Sequence, residues 1–130
     1  MFLSLLITTY KRDKWLMECI DSICTSIITY KIQGGAEAIE IIVLDDDHLR
    51  SEDFILPDTL LELGDNVKIT YLKNKTNLGD YFNRNKAIEQ ATGKWVKFID
   101  DDDKIFRAIR AGACGYLLKE ESGEVITRSE

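Results

Sequence analysis

Apolar residues fall along this sequence as short runs alternating with helical stripes. Residues 2–8 (FLSLLIT) and 39–44 (IEIIVL) are compact runs of the kind that form strands buried on both faces. Between them Trp15, Leu16, Cys19, Ile20, Ile23 and Ile27 recur at helical spacing. That spacing predicts a helix over 13–29, with Asp13 as its N-cap and Gln33-Gly34-Gly35 ending the region. Pro57 suits a first helical residue and Gly64 a stop, so a short helix is expected over 57–63. Residues 67–72 (VKITYL) alternate and read as a strand near a sheet edge. Asp80 to Ala91 is a second long helix closed by Gly93, and 95–99 (WVKFI) a fourth strand. A helix over 104–111, stopped by Gly112, and a fifth strand over 115–118 (GYLL) follow.

This rhythm predicts an α/β fold of three layers, Rossmann-like, with a mostly parallel sheet of four to five strands between helices. At 130 residues and 45% hydrophobic, the chain has the size of one domain and enough apolar side chains for one core. A net charge of −6 repels phosphate backbones and makes nucleic acid a poor partner, so none is expected. Three cysteines without framework spacing, Cys19, Cys24 and Cys114, argue for a reducing compartment, and a cytoplasmic location is expected. The opening MFLSLLITTY lacks a preceding basic stretch and a cleavage site, and it is far shorter than a membrane span. It reads as a buried first strand, with no membrane segment in this chain.

In parallel sheets of this kind ligands sit beyond the carboxyl ends of the strands. The polar residues follow the strands: Thr8, Thr9, Tyr10, Lys11 and Arg12 after the first, Asp45–Asp47 after the second, Asp100–Asp103 after the fourth. Convergence of these acids on one rim calls for a cation, because crowded carboxylates repel each other. Aspartate oxygens suit Mg2+ or Mn2+, which complete their shells with substrate phosphates and water. A metal-bridged diphosphate is therefore a fitting ligand. The structural alternative is that aspartates after strands form turns and cap helices.

Three segments together resemble family 2 glycosyltransferases. They are SLLITTYKRDKWLMECIDSI, IEIIVLDDD, and NKTNLGDYFNRNKAIEQATGKWVKFIDDDD, in the family's order and spacing over about residues 2–103. The resemblance implies a nucleotide-sugar-binding region over 1–103. In it Tyr10 flanks or stacks on the nucleobase and Thr8 lines the same pocket. Asp46 accepts a hydrogen bond from the base edge, which favours a UDP-sugar. Asn77, Gly79 and Arg84 lie where the family closes over the nucleotide and diphosphate. Asn85 completes the family's R-N pair, in packing or in binding. Asp100, with Asp101, falls on the ribose or sugar, and Asp102 of the D-x-D binds the divalent metal, Mn2+ or Mg2+. The metal would neutralise the departing diphosphate. Lys11 departs from the family's Asn. Read without the resemblance, Arg84 would be an exposed residue paired with Asp80, and Trp15 and Trp95 would serve packing.

Beyond Asp103 the sequence changes character. DDDKIFRAIRAGACGYLLKEES resembles the end of response-regulator receiver domains, with Lys119 at their lysine. Residues 104–119 are expected to add a receiver-like helix and strand that complete the sheet, and 120–130 to fray. This suggests a chimera joined at Asp100–Asp103. No residue is identifiable as the base that activates an acceptor, so the chain is expected to be truncated and inactive in transfer on its own, its acceptor unknown. Two other functions follow from the residues: a phosphoacceptor using Asp45, Asp46 or Asp47 with Lys119, and a folded fragment that binds nothing. Thr8-Thr9-Tyr10 stand where a receiver has its acidic metal pair, which weighs against the first.

Overall fold

A computed structural model describes residues 1–52, 54–100 and 125–127. The elements are β1 (Leu3–Thr9), α1 (Asp13–Ile32), β2 (Ile39–Asp45), a 3₁₀ turn (Asp58–Glu62), β3 (Val67–Lys73), α2 (Gly79–Gln90), β4 (Trp95–Phe98) and β5 (Val125–Thr127). The strands form one five-stranded sheet in the order β3-β2-β1-β4-β5. The first four are parallel, and β5 runs antiparallel beside β4.

Strand side chains alternate between faces, and the two faces carry different helices. Leu3, Leu5, Ile7, Ile39, Ile41 and Val43 pack with α1 through Leu16, Cys19, Ile20, Ile23 and Ile27. Leu6, Ile42, Leu44 and Val96 pack with Ala87 and Ala91 on and just beyond α2. β1 and β2 lie in the middle of the sheet and are buried on both faces, in keeping with their largely apolar runs. Each fully buried Leu or Ile contributes about 1.5–3 kcal/mol of transfer free energy. β3 has an open edge and a partly exposed pattern, in keeping with its alternation.

Several local expectations are corrected. α1 runs to Ile32, one turn beyond the expected end, because Tyr30 adds a further buried position on the stripe. Arg12, not Asp13, is its N-cap and makes no side-chain cap bond; the Asp13 carboxylate binds Arg50 instead. Trp15 is 45% exposed, so the apolar face begins at Leu16. The segment after Pro57 is a five-residue 3₁₀ turn, too short for α-helical pairing to establish itself, and Pro57 stands extended just before it. Gly93 serves close packing rather than helix closure. A Cβ there would lie 2.5 Å from Ser4 Oγ and 2.6 Å from Ser4 N. The tail read as frayed supplies β5, since the free edge of β4 offers unpaired backbone groups to Val125–Thr127. The helix and strand expected over 104–111 and 115–118 lie outside the described residues.

Candidate functional site: a cleft at the strand tips

From β1 the chain moves to β2 and β3 on one side, then returns to β4 on the other side of β1. That reversal opens a crevice at the carboxyl ends of β1 and β4, between the N-termini of α1 and α2. A cleft of about 530 Å³ occupies it. Thr8, Thr9, Tyr10 and Arg12 line it from the tip of β1, and Asp46 from the tip of β2. Asn77, Gly79, Asp80 and Asn83 line it from the start of α2, and Asp100 from the end of β4.

The turn after β1 is tight. Lys11 has φ 54°, a left-handed conformation that costs a residue with a Cβ about 1–2 kcal/mol. The turn leaves the Tyr10 ring 44% exposed on the cleft, with Lys11 Nζ 5.2 Å from its centroid. A half-exposed ring beside a polar cleft can stack against a flat ligand.

Asp46 is buried and holds the opposite wall. Its Oδ1 accepts from Asn74 Nδ2 at 2.9 Å and from the Leu78 backbone N–H at 2.7 Å. Its Oδ2 accepts from the Gly79 N–H at 2.9 Å. A carboxylate at a helix N-terminus satisfies otherwise orphaned N–H groups and complements the helix dipole. Gly79 supplies the φ of 80° that lets the chain enter α2 at this point. Asn74 Nδ2 also donates to Asn83 Oδ1 at 2.7 Å, Lys86 Nζ donates to Asn74 Oδ1 at 2.9 Å, and Asn83 Nδ2 donates to the Leu44 carbonyl at 3.2 Å.

Asp45 turns to the other face and is fully buried. It accepts from the Asp47 N–H at 2.9 Å, from Arg50 Nε at 2.8 Å and from the Tyr71 hydroxyl. Arg50 continues to Asp13, with Nη1 2.9 Å from Oδ2. Hydrogen bonding from Arg50 holds the Asp13 carboxyl below its ordinary value, and Asp13 in turn makes Arg50 a stronger base. Burial, then the Asp45 carboxylate, pushes the Tyr71 phenol well above its usual range.

The expected residues separate as follows. Thr8, Tyr10, Asp46, Asn77, Gly79 and Asp100 share the cleft. Arg84 is not among the described lining residues; its guanidinium lies 4.1 Å over the Phe98 ring. Asn85 is exposed. Asp101, Asp102 and Lys119 lie outside the described residues. The expected convergence of all the acids does not occur among the described residues: Asp45 and Asp46 point to opposite faces by strand alternation, and Asp47 borders a separate shallow pocket with Arg50. No group of three or more His, Cys, Asp or Glu side chains there is placed to hold a metal ion. Asp80 and Asn83 are additions to the lining, while Thr9 and Arg12 belong to the polar turn expected after β1. Asn83 had a signal, since it is the polar member of the 83–87–91 stripe whose other members are apolar.

A model of glycosyl transferase family 2 matches residues 4–108. The chain belongs to this family. It is 32% identical over 101 residues to an uncharacterized glycosyltransferase of Methanocaldococcus jannaschii, covering 77% of this chain and 31% of that protein. It is 28% identical over 118 residues to the GalNAc(5)-diNAcBac-PP-undecaprenol beta-1,3-glucosyltransferase of Campylobacter jejuni, covering 91% and 34%. The crystal structure of S. aureus TarS 1-349 superposes with a TM-score of 0.56 at 27% identity, over 79% of this chain and 28% of that one. TarS 1-349 has also been solved with UDP and with UDP-GlcNAc. The glycosyl transferase family 2 chain thus has an A-type glycosyltransferase fold and spans about a third of the length of these curated relatives (31% and 34%). No described helix is long and apolar enough to cross a membrane.

Proposed function

We propose that this family 2 domain binds a nucleoside diphosphate sugar, with uridine as the nucleoside, and orients it for glycosyl transfer to an acceptor. The observation that carries the reading is the meeting of Tyr10, Asp46 and Asp100 on one cleft at the sheet's reversal point. The Tyr10 ring stacks on the base while Asp46 accepts its imide N–H. Thr8 lines the same pocket. Asn77 and Gly79, at the start of α2, flank the diphosphate. Asp100 and Asp101 approach the ribose or sugar.

Asp102, two residues past the cleft-lining Asp100, is the proposed ligand for Mn2+ or Mg2+. The acid-only donor set fits such hard cations, which bind through one or two carboxylates plus phosphate oxygens and so do not need a preformed cage. When bound, the metal supplies charge neutralisation to the leaving diphosphate. The residues of this chain bind and orient the donor. Activation of the acceptor needs a base that none of the matched motifs supplies, so donor binding rather than complete transfer is proposed for this chain alone. A phosphoacceptor role is disfavoured for Asp45, whose carboxylate is enclosed by Arg50, Tyr71 and the Asp47 N–H. A join to a receiver-like segment at Asp100–Asp103 is proposed as well, on the resemblance of the residues that follow.

Thermal denaturation with UDP and Mn2+ tests the reading. The melting temperature rises with ligand concentration, as it must for anything that binds only the folded state. Asp102→Ala removes the metal-dependent part of the rise, and Tyr10→Ala weakens the nucleotide-dependent part. A melting temperature indifferent to every nucleoside diphosphate, with and without metal, leaves a folded domain that binds no donor.

A further inference from the structure

We infer that Asn74, held in place by Lys86, determines which nucleobase edge the cleft accepts. The inference rests on the donor-binding reading and goes on to a residue outside the cleft lining.

An ionised carboxylate offers about four acceptor positions, two on each oxygen. In Asp46 both positions of Oδ1 are engaged, by Asn74 Nδ2 at 2.9 Å and the Leu78 N–H at 2.7 Å. Among the described residues Oδ2 accepts only the Gly79 N–H, at 2.9 Å. One position on one oxygen is left for a ligand. Uracil presents a single imide N–H between two carbonyls and needs one acceptor. Guanine presents N1–H and an amino N–H side by side and pairs best with both oxygens of a carboxylate. In this cleft its second donor meets an oxygen already engaged.

Asn74 keeps Asp46 in that state. Its side chain is buried, and its orientation is settled from the far side. Lys86 Nζ can only donate, and its 2.9 Å bond to Asn74 Oδ1 turns the Nδ2 group toward Asp46 and toward Asn83 Oδ1. A reversed amide would set a donor against Lys86 and an acceptor against the Asp46 carboxylate. Without the amide, Oδ1 regains a free acceptor position, and the carboxylate can rotate to offer both oxygens.

The measurement is the dissociation constants of UDP and GDP, with Mn2+, for the unsubstituted chain, Asn74→Ala and Lys86→Met, by calorimetry. The unsubstituted chain prefers UDP. Asn74→Ala narrows the UDP-over-GDP ratio by about tenfold, the cost of one unpaired donor, whatever it does to overall affinity. Lys86→Met shifts the ratio the same way by a smaller factor and keeps the Asn74 side chain in the core, so it carries the test if Asn74→Ala does not fold. A purely structural Asn74 would weaken both nucleotides alike. An unchanged ratio in the variants overturns the inference and leaves the donor-binding reading intact. No UDP preference in the unsubstituted chain overturns the inference together with the choice of uridine, and leaves only the binding of a nucleoside diphosphate. Failure of the unsubstituted chain to bind either nucleotide overturns both.

Discussion

Asp45 and Asp46 are adjacent in sequence, yet their carboxylates fasten opposite faces of the sheet. Asp45 ties β2 to Arg50 and Tyr71 on the α1 side. Asp46 ties it to Leu78 and Gly79 at the start of α2. The two sides of the cleft are therefore positioned from one strand tip, and the consequences differ for the two residues.

On the Asp45 side, the Arg50 contacts have unequal weight. Asp45 is fully buried and Asp13 is 51% exposed. Breaking a buried pair strands a charge at a cost of about 3–5 kcal/mol, whereas an exposed pair contributes about 0–1 kcal/mol. Arg50→Met should therefore lower stability by about 2–4 kcal/mol, because Tyr71 and the Asp47 N–H still serve Asp45. Asp13→Asn should cost less than about 1 kcal/mol. Urea denaturation of the two variants checks the order, and equal losses would mean that the buried branch is not the stronger one.

At the opposite end of the strands, Glu40 is buried on the α2 side. It accepts from Ser4 Oγ at 2.5 Å, the Thr92 N–H at 2.6 Å and Thr92 Oγ1 at 2.7 Å. Burial pushes its carboxyl up, but the bonds from Ser4 and Thr92, with the charge of Lys68, outweigh this and leave it below its ordinary 4.5. A lowered folded value stabilises the protein fully above the unfolded value and is lost as pH falls through the folded one. Glu40→Gln should be less stable than the parent at neutral pH, with the deficit shrinking as the pH falls through and below the ordinary carboxylate range. Denaturation midpoints across that range test it, and a deficit that grows on acidification would contradict the assigned shift.

Ser4 also fixes how closely β1 and the strand-entry turn approach. Gly93 N–H donates to Ser4 Oγ at 2.8 Å, and a Cβ would press on Ser4 and on the Leu3 carbonyl carbon at 2.9 Å. Backbone cannot yield as a flexible side chain does. Gly93→Ala should destabilise by about 1–3 kcal/mol or more. Gly79→Ala, whose Cβ meets nothing within 4 Å, should cost only the conformational penalty of about 1–2 kcal/mol. Thermal melts that rank the two the other way would refute the packing argument.

Lys11 pays its left-handed φ of 54° without a glycine's freedom. Asn tolerates that region and β-branched residues resist it. Stability should rank Lys11→Asn above the parent and Lys11→Val below it, over a span of about 1–2 kcal/mol. Melting temperatures of the three proteins test the order.

Much of this was legible in the residues. The largely apolar runs 2–8 and 39–44 pointed to central strands of a parallel sheet, because their few polar residues, Ser4, Thr8 and Glu40, make no regular alternation that would turn one face to water. The placement of chemistry at strand ends followed, and Thr8, Tyr10, Asp46, Asn77, Gly79 and Asp100 do share a cleft. Spacing could not show that Asp13 would leave its cap for Arg50, 37 residues away, or that Arg84 would lie over Phe98. Both outcomes are long-range and arise only when strands from distant segments pair.

By itself, then, the sequence determined the layers, the parallel sheet and the end of it that carries polar residues, since these depend on periodicity within each segment. Only the tertiary structure decided what encloses Asp45, namely Arg50 and Tyr71, and what holds Asp46 at the cleft wall. It also decided that Asn74 and Lys86 stand behind Asp46. Those relations depend on the register of β2 against β1 and β3 and on where α2 begins, which no single segment encodes.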